Sequence, residues 1–189
     1  MIDSLLTHYS KLINEYLNRI HRHPEAIAVV GRLGGSDNMI PNKMVVSLLN
    51  VERETTVSSL PSTYSSHGGG YEKLRAPLFL NLNIVLAVVY EEEKYAYSLS
   101  VLSDALRFIH ASPVFTVDGI DYSIEIMNIT MQDLNNVWTV LGGRCYPAVF
   151  CKIRRLSIGG GEILSGGKSS ERINTGVNDA SGIKTSCYG

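Results

Sequence analysis

The chain has 189 residues and a mass of 20.8 kDa, enough for one domain with a buried core that needs neither disulfides nor metals. Hydrophobic residues make up 44% and charged residues 19%, which excludes a largely disordered chain. Seventeen basic and eighteen acidic residues give a formal charge of −1. This balance argues against a dominant electrostatic grip on nucleic acid or anionic lipid.

Cysteine usage and hydropathy predict the cellular setting. The three cysteines are odd in number and lack a CxxC spacing, which favours a reducing compartment. The N-terminal segment is too interrupted by polar residues for a signal peptide. The longest apolar run, 84–90, is far shorter than the roughly 20 residues of a membrane helix. We therefore expect a cytoplasmic protein without direct membrane insertion.

The first helix is predicted by apolar residues that recur at three- and four-residue steps from Ile2 to Ile20. Asp3 or Ser4 is expected to cap its start, and Pro24 follows its end. Strands are then predicted over 26–30 and about 43–57. The charged stretch at 52–54 is expected to reach towards solvent.

The central strand is predicted over 78–90, where every even position is apolar. The odd positions carry Asn81 and Asn83 first and apolar residues later. This pattern predicts a strand that is covered on one side throughout and on both sides near its end. The preceding residues 58–76 are rich in Ser and Gly and are predicted to form a long polar loop.

The second half of the chain predicts two helices and two strands. A helix over about 92–110 follows acidic residues that suit the positive end of its dipole. A strand over 121–129 leads into Thr130-Met-Gln-Asp133, which resembles a capping box for a third helix ending at Gly142. A last strand is predicted over 148–158. The fold class is therefore α+β, a single domain with a mostly antiparallel sheet and three packed helices.

The domain is predicted to span 1–158 and to be followed by a Gly-rich C-terminal extension, 159–189. This extension contains eight glycines and few apolar residues. Ordering the backbone costs roughly 1–2 kcal/mol per residue, and glycine loses the most freedom. We expect the extension to be either disordered in the free protein or ordered by a partner.

Sequence motifs that would indicate a catalytic or ligand-binding site are weak or absent. Gly166-Gly167-Lys168-Ser169 resembles the end of a phosphate-binding loop, but Glu162 stands where that loop requires glycine and no helix pattern follows. His21 and His23 are too few ligands for zinc and are expected to be solvated. No serine-nucleophile elbow is present. The sequence therefore predicts no catalytic residue, no metal ligand and no cofactor.

The last strand carries the basic residues Lys152, Arg154 and Arg155. Lys152 and Arg154 share a face opposite Cys151 and Ile153. This face is either a solvated strand face or a charged contact surface for a partner subunit. With no chemistry to assign, the residues favour an interaction protein over an enzyme.

Several segments follow one another in a recognisable order: Asn42 to Glu54, Pro77 to Leu82, Phe108 with Pro113-Val114-Phe115, Leu134 to Trp138 with Leu141-Gly142, and Pro147 to Arg154. Together they resemble the tail-terminator or cap proteins of extracellular contractile injection systems, such as the antifeeding prophage and the Photorhabdus virulence cassettes. The resemblance covers about 1–158. The Gly-rich extension is not part of the shared pattern.

This resemblance implies a structural subunit that forms a ring of six on the baseplate-distal end of the inner tube. Such a ring ends tube growth and contacts the last sheath layer. The implied partners are other copies of the chain, the inner tube protein and the sheath protein, within a phage-tail-like particle that is either released or membrane-anchored. Alternatives are an adaptor beneath another cap protein, a tube, sheath or baseplate subunit, and a small enzyme that binds a phosphorylated ligand.

A closed ring needs head-to-tail contacts between identical subunits. Two candidate complementary patches are the acidic residues Glu91, Glu92 and Glu93 and the basic last strand. The three acidic residues are also typical of an ordinary helix start. The extension is expected to add a strand to the sheet edge of a neighbour, with Ile163 and Leu164 as its apolar anchor.

Overall fold

The computed structural model describes residues 1–34, 41–55, 62–65, 70–74, 77–159 and 163–168. A short 3-10 turn, Glu92–Lys94, precedes the second helix. In chain order the helices and strands are α1 (Ile2–His21), β1 (Ala28–Val30), β2 (Lys43–Arg53), β3 (Ser62–Ser65), β4 (Gly70–Leu74), β5 (Leu78–Val89), α2 (Tyr95–Ala111), β6 (Val114–Val117), β7 (Ile120–Ile126), α3 (Met131–Val140), β8 (Ala148–Ile158) and β9 (Ile163–Lys168).

Two sheets are formed. The large sheet has six strands in the order β1-β2-β5-β8-β7-β6, and the small sheet has three in the order β3-β4-β9. Among the described strands, β1 and β2 pair in parallel and every other pair is antiparallel. The architecture confirms the predicted α+β domain with a mostly antiparallel sheet and three helices.

Strand β5 is central and covered as its pattern predicts. Its even positions, such as Ile84 and Leu86, pack in one core with apolar residues of α1 and α2. Its later odd positions, such as Val85 and Ala87, pack in a second core with Trp138 of α3. The two helical layers therefore lie on opposite faces of the large sheet. None of the helices in the described part of the chain combines the length and apolar composition needed to cross a bilayer.

Several predictions of local structure are wrong. The predicted polar loop at 58–76 contains β3 and β4, and β6 was not predicted. These short strands have weak alternation, and pairing with neighbouring strands defines them. Neither Asp3 nor Ser4 caps α1, because the helix already begins at Ile2. The cap of α3 is confirmed, since Thr130 Oγ1 accepts a 3.1 Å hydrogen bond from the Asp133 N–H.

Candidate contact surfaces

A polar network covers the part of the large sheet that α3 leaves uncovered. It lies on the same face of β5 as Val85, where Asn81 and Asn83 are only 4% and 8% exposed. The strand register places Asn81 opposite Glu52 of β2 and Asn83 opposite Lys152 of β8. Polar side chains of three adjacent strands therefore meet across this face.

Glu52 links the two sides of β5. Its Oε1 accepts a 2.5 Å hydrogen bond from Asn83 Nδ2, and its Oε2 lies 3.1 Å from Lys152 Nζ. The hydrogen bond from Lys152, followed by that from Asn83, lowers the pKa of the Glu52 carboxyl below its usual value. Lys152 is thus held by a carboxylate of its own chain.

Arg154 forms the second half of the network. Its Nη2 lies 2.6 Å from Glu125 Oε1, and its Nη1 lies 3.1 Å from Glu54 Oε2. Glu54 Oε2 also accepts a 2.8 Å hydrogen bond from Asn81 Nδ2, and its side chain is only 11% exposed. The expectation that residues 52–54 reach into solvent is therefore wrong for Glu54, because Arg154 and Asn81 bind it across the sheet.

A β-bulge separates Arg154 from Arg155. Leu80 pairs with Leu156 and Leu82 pairs with Ile153, so two residues of β8 lie opposite Asn81. Arg155 takes up the bulge with a φ of 75° and is exposed. Because of this extra residue, Ile153 and Leu156 both return to the core. Arg155 therefore offers a partner a cation that is not held in the network.

The Glu52 pairing predicts a pH dependence. A carboxyl with a lowered folded-state pKa stabilises the fold above its unfolded value of about 4.5, and this contribution is lost as the pH falls through the folded-state pKa. We expect Glu52→Gln to lose stability less steeply than the unaltered protein below about pH 4.5. Urea unfolding at a series of pH values measures this. Identical pH profiles for Glu52→Gln and the unaltered protein would contradict the pairing.

The acidic residues Glu91, Glu92 and Glu93 are exposed at the other end of the sheet. Glu91 Oε2 lies 3.1 Å from Lys94 Nζ. This contact, followed by a hydrogen bond with Asn42, lowers the pKa of the Glu91 carboxyl. Strand β5 runs between this acidic turn and the end of the sheet that carries Arg155. Within one subunit the two predicted patches do not meet, so their pairing between subunits stays a prediction.

The extension contributes β9, which pairs antiparallel with β4 of the same chain. For residues 163–168, this contradicts the expectation of either disorder or ordering by a partner. Residues 163–168 gain backbone hydrogen bonds to β4, which the number of apolar residues does not reflect. Ile163 lies opposite Leu74, and Leu164 lies at a register shift. Their predicted contact with a neighbour is untested, and 169–189 lie outside the described residues.

The residues that were weighed as metal-binding or phosphate-binding candidates lie in helices and strands of the fold. The expectation that His21 is solvated is wrong. Its Nε2 lies 3.0 Å from Asp104 Oδ2, where the end of α1 contacts α2. Burial raises the pKa of the Cys151 thiol to about 12, which keeps it protonated. Lys168 is the last residue of strand β9. Among the described residues no three His, Cys, Asp or Glu side chains are placed to hold a metal ion.

Several residues that form the polar network with Lys152 and Arg154 were not predicted from the sequence. The sequence patterns did not assign Glu54, Glu125, Asn81 or Asn83 to a contact surface, although the two asparagines interrupt an otherwise apolar strand. Buried amides in a central strand need hydrogen-bond partners. The available signal was a shared spacing. Asn81 and Asn83 are two residues apart, and so are Glu52 and Glu54.

The family model described as the Pvc16 N-terminal domain matches residues 6–171. The chain belongs to this family. The match confirms the resemblance to tail-terminator or cap proteins of contractile injection systems, and it extends past the predicted domain boundary to include β9. No curated protein sequence matches the chain.

Two solved structures share the fold. The cap of the anti-feeding prophage, a tube-terminating cap, matches with a TM-score of 0.58 and 16% identity over 84% of this chain. The sheath/tube terminator of an extracellular contractile injection system, PVC, in its extended state matches with a TM-score of 0.60 and 12% identity over 92%. The chain spans 55% and 64% of their respective lengths.

Proposed function

We propose that this member of the Pvc16 N-terminal domain family is a structural cap subunit of a contractile injection particle. Copies of the chain form a ring, with six subunits as the resemblance implies, on the baseplate-distal end of the inner tube. The ring ends tube growth and contacts the last sheath layer. The family match over residues 6–171 carries the proposal, and the fold shared with a tube-terminating cap and a sheath/tube terminator supports it.

The side chains of the described residues also favour a structural role. Lys152 and Arg154 are paired with carboxylates, and the buried Cys151 thiol is protonated. Neither arrangement activates a nucleophile or a general base. We therefore propose a role without a catalytic step, a cofactor or a metal.

The proposed partners are other copies of the chain, the inner tube protein and the sheath protein. Exposed residues are the candidate contacts: Arg155 at one end of the sheet, and Glu91, Glu92 and Glu93 at the other. Lys152 and Arg154 would have to exchange their carboxylate partners to bind another subunit. Ile163 and Leu164 of β9 remain candidates. We place assembly of the particle in the cytoplasm.

Electron microscopy of particles from cells with and without the gene tests this function. A tube without its terminator has no stop signal, so we expect tubes that are overlong, variable in length or sheathless when the gene is deleted. Restoring the gene on a plasmid should restore one uniform length. Uniform particles with a normal cap in the deletion strain would contradict the terminator role and favour an adaptor beneath another cap protein.

A further inference from the structure

The large sheet ends at both sides in a short strand without charge. The edge strands are β1, with the sequence Ala-Val-Val, and β6, with Val-Phe-Thr-Val. Edge strands of soluble proteins usually carry charges, proline or bulges that prevent pairing with another chain. Here Val30 is 44% exposed and Val114 is 56% exposed. Both edges are therefore suited to pairing with a further strand.

The β1 edge presents free backbone groups. Ile27 O accepts from the Met44 N–H, and the Gly31 N–H donates to Val46 O. Because successive residues of a strand point their backbone groups to alternate sides, Ala28 and Val30 point theirs away from β2. The Ala28 N–H is bound by Asn14 Oδ1. No described residue forms a hydrogen bond with the Ala28 carbonyl or with the outward backbone groups of Val30, so these groups are candidates for a partner strand.

The β6 edge presents matching groups. The Ile124 N–H donates to Pro113 O, and Val114 lies opposite Ser123 of β7. The same alternation points the backbone groups of Val114 and Thr116 away from β7. No described residue forms a hydrogen bond with these outward groups.

We propose that β6 of one subunit pairs in parallel with β1 of a second copy, so that the large sheets join around the ring; this rests on the proposed ring-forming function. Strand β1 is parallel to β2, and the four pairs from β2 to β6 are all antiparallel. Strands β1 and β6 therefore run in the same direction. Rotation about a ring axis along that direction brings them together in parallel, as a head-to-tail contact requires.

Charge at the strand ends favours the same direction. Arg32 follows β1 by two residues and Asp118 follows β6 directly, and both are exposed. Parallel pairing brings these opposite charges to the same end of the contact. Antiparallel pairing would instead bring Asp118 beside Glu25, which precedes β1, and like charges repel.

The faces of the two sheets set the register. Val30 lies opposite Val46, and Val46 and Phe115 both belong to the core on the α1 and α2 side. Placing Val30 opposite Phe115 therefore keeps the helix-packed faces of the two subunits on one side. In this register the Val30 N–H donates to the Val114 carbonyl, and the Thr116 N–H donates to the Val30 carbonyl.

Disulfide trapping in isolated particles tests the register. Val29 and Val114 are directly opposite in the proposed pairing, so the double variant Val29→Cys, Val114→Cys should form disulfides between subunits. Cys145 and Cys187 are first replaced by Ser. On a non-reducing gel we expect a ladder at multiples of 20.8 kDa. The matched control, Val30→Cys with Val114→Cys, places the thiols on opposite faces and should remain monomeric.

The outcomes separate this contact from the proposed function. If the Val29–Val114 variant is present in the particles but remains monomeric on the gel, the strand pairing is overturned. The terminator role is then unaffected. A ladder of equal intensity in the control also overturns the register. A ladder together with normal tube length after gene deletion supports the contact and contradicts the terminator role. If a reducing gel of the isolated particles shows no band for the chain, both the strand pairing and the terminator role are overturned.

Discussion

The variant Gly34→Ala should lose roughly 3–5 kcal/mol of the free energy of unfolding, more than the left-handed backbone alone explains. Gly34 has a φ of +80°, and a Cβ there would lie 2.1 Å from the carbonyl oxygen of Leu141 and 2.8 Å from its carbonyl carbon. Both are backbone atoms at the end of α3. The segment after β1 or the helix itself must therefore move.

Gly119→Ala is the matched control for this prediction. Gly119 lies in the turn between β6 and β7 with a φ of +77°, and apart from its two chain neighbours no described residue has an atom within 4 Å of the added Cβ. Its expected loss is roughly 1–2 kcal/mol, from the left-handed conformation alone. Urea unfolding followed by tryptophan fluorescence measures both, since Trp138 is the sole tryptophan of the chain. Equal losses in the two variants would contradict the close approach.

The consequence of the Gly34 contact extends to the second core. Leu33, next to Gly34, packs in the cluster that contains Trp138 and Phe150. A displaced α3 would expose the indole of Trp138, which is 5% exposed in the native fold. We therefore expect a red-shifted native emission in Gly34→Ala and an unchanged one in Gly119→Ala.

The second large effect is expected for Asn14→Ala. Asn14 Oδ1 accepts hydrogen bonds from the backbone N–H groups of Ile27 at 2.7 Å and Ala28 at 3.0 Å. Both residues are buried, so removal of the amide leaves two buried donors without an acceptor. Each such donor costs about 1–3 kcal/mol. We expect a total loss of roughly 2–4 kcal/mol, measured as the free energy of urea unfolding.

Asn14→Asp separates the hydrogen bonds from packing. Aspartate keeps an oxygen at the Oδ1 position and a similar volume, so most of the stability should remain. If Asp and Ala at this position lose the same free energy, the contact between α1 and β1 does not depend on the acceptor. The same variants affect the proposed ring contact, because Asn14 holds the outer edge of β1.

The elements that the sequence predicted well have strong local patterns. The even positions of β5 are all apolar, and the strand was placed to within one residue of its observed end at Val89. Thr130 and Asp133 predicted the start of α3 because a capping box is formed within a single turn. The bounds of β8 were predicted as observed. In each case a pattern among neighbouring residues was enough to predict the element.

Tertiary structure decided the features that join distant segments. Arg154 binds Glu54, 100 residues earlier in the chain, and β9 completes a sheet with β4, which the sequence presented as part of a loop. The close approach of Gly34 to Leu141 is of the same kind. The sequence alone determined the α+β class, the central strand and the likeness to terminator proteins. The folded chain decided which charges are free for a partner, because an ion pair depends on distance in space and not on spacing along the chain.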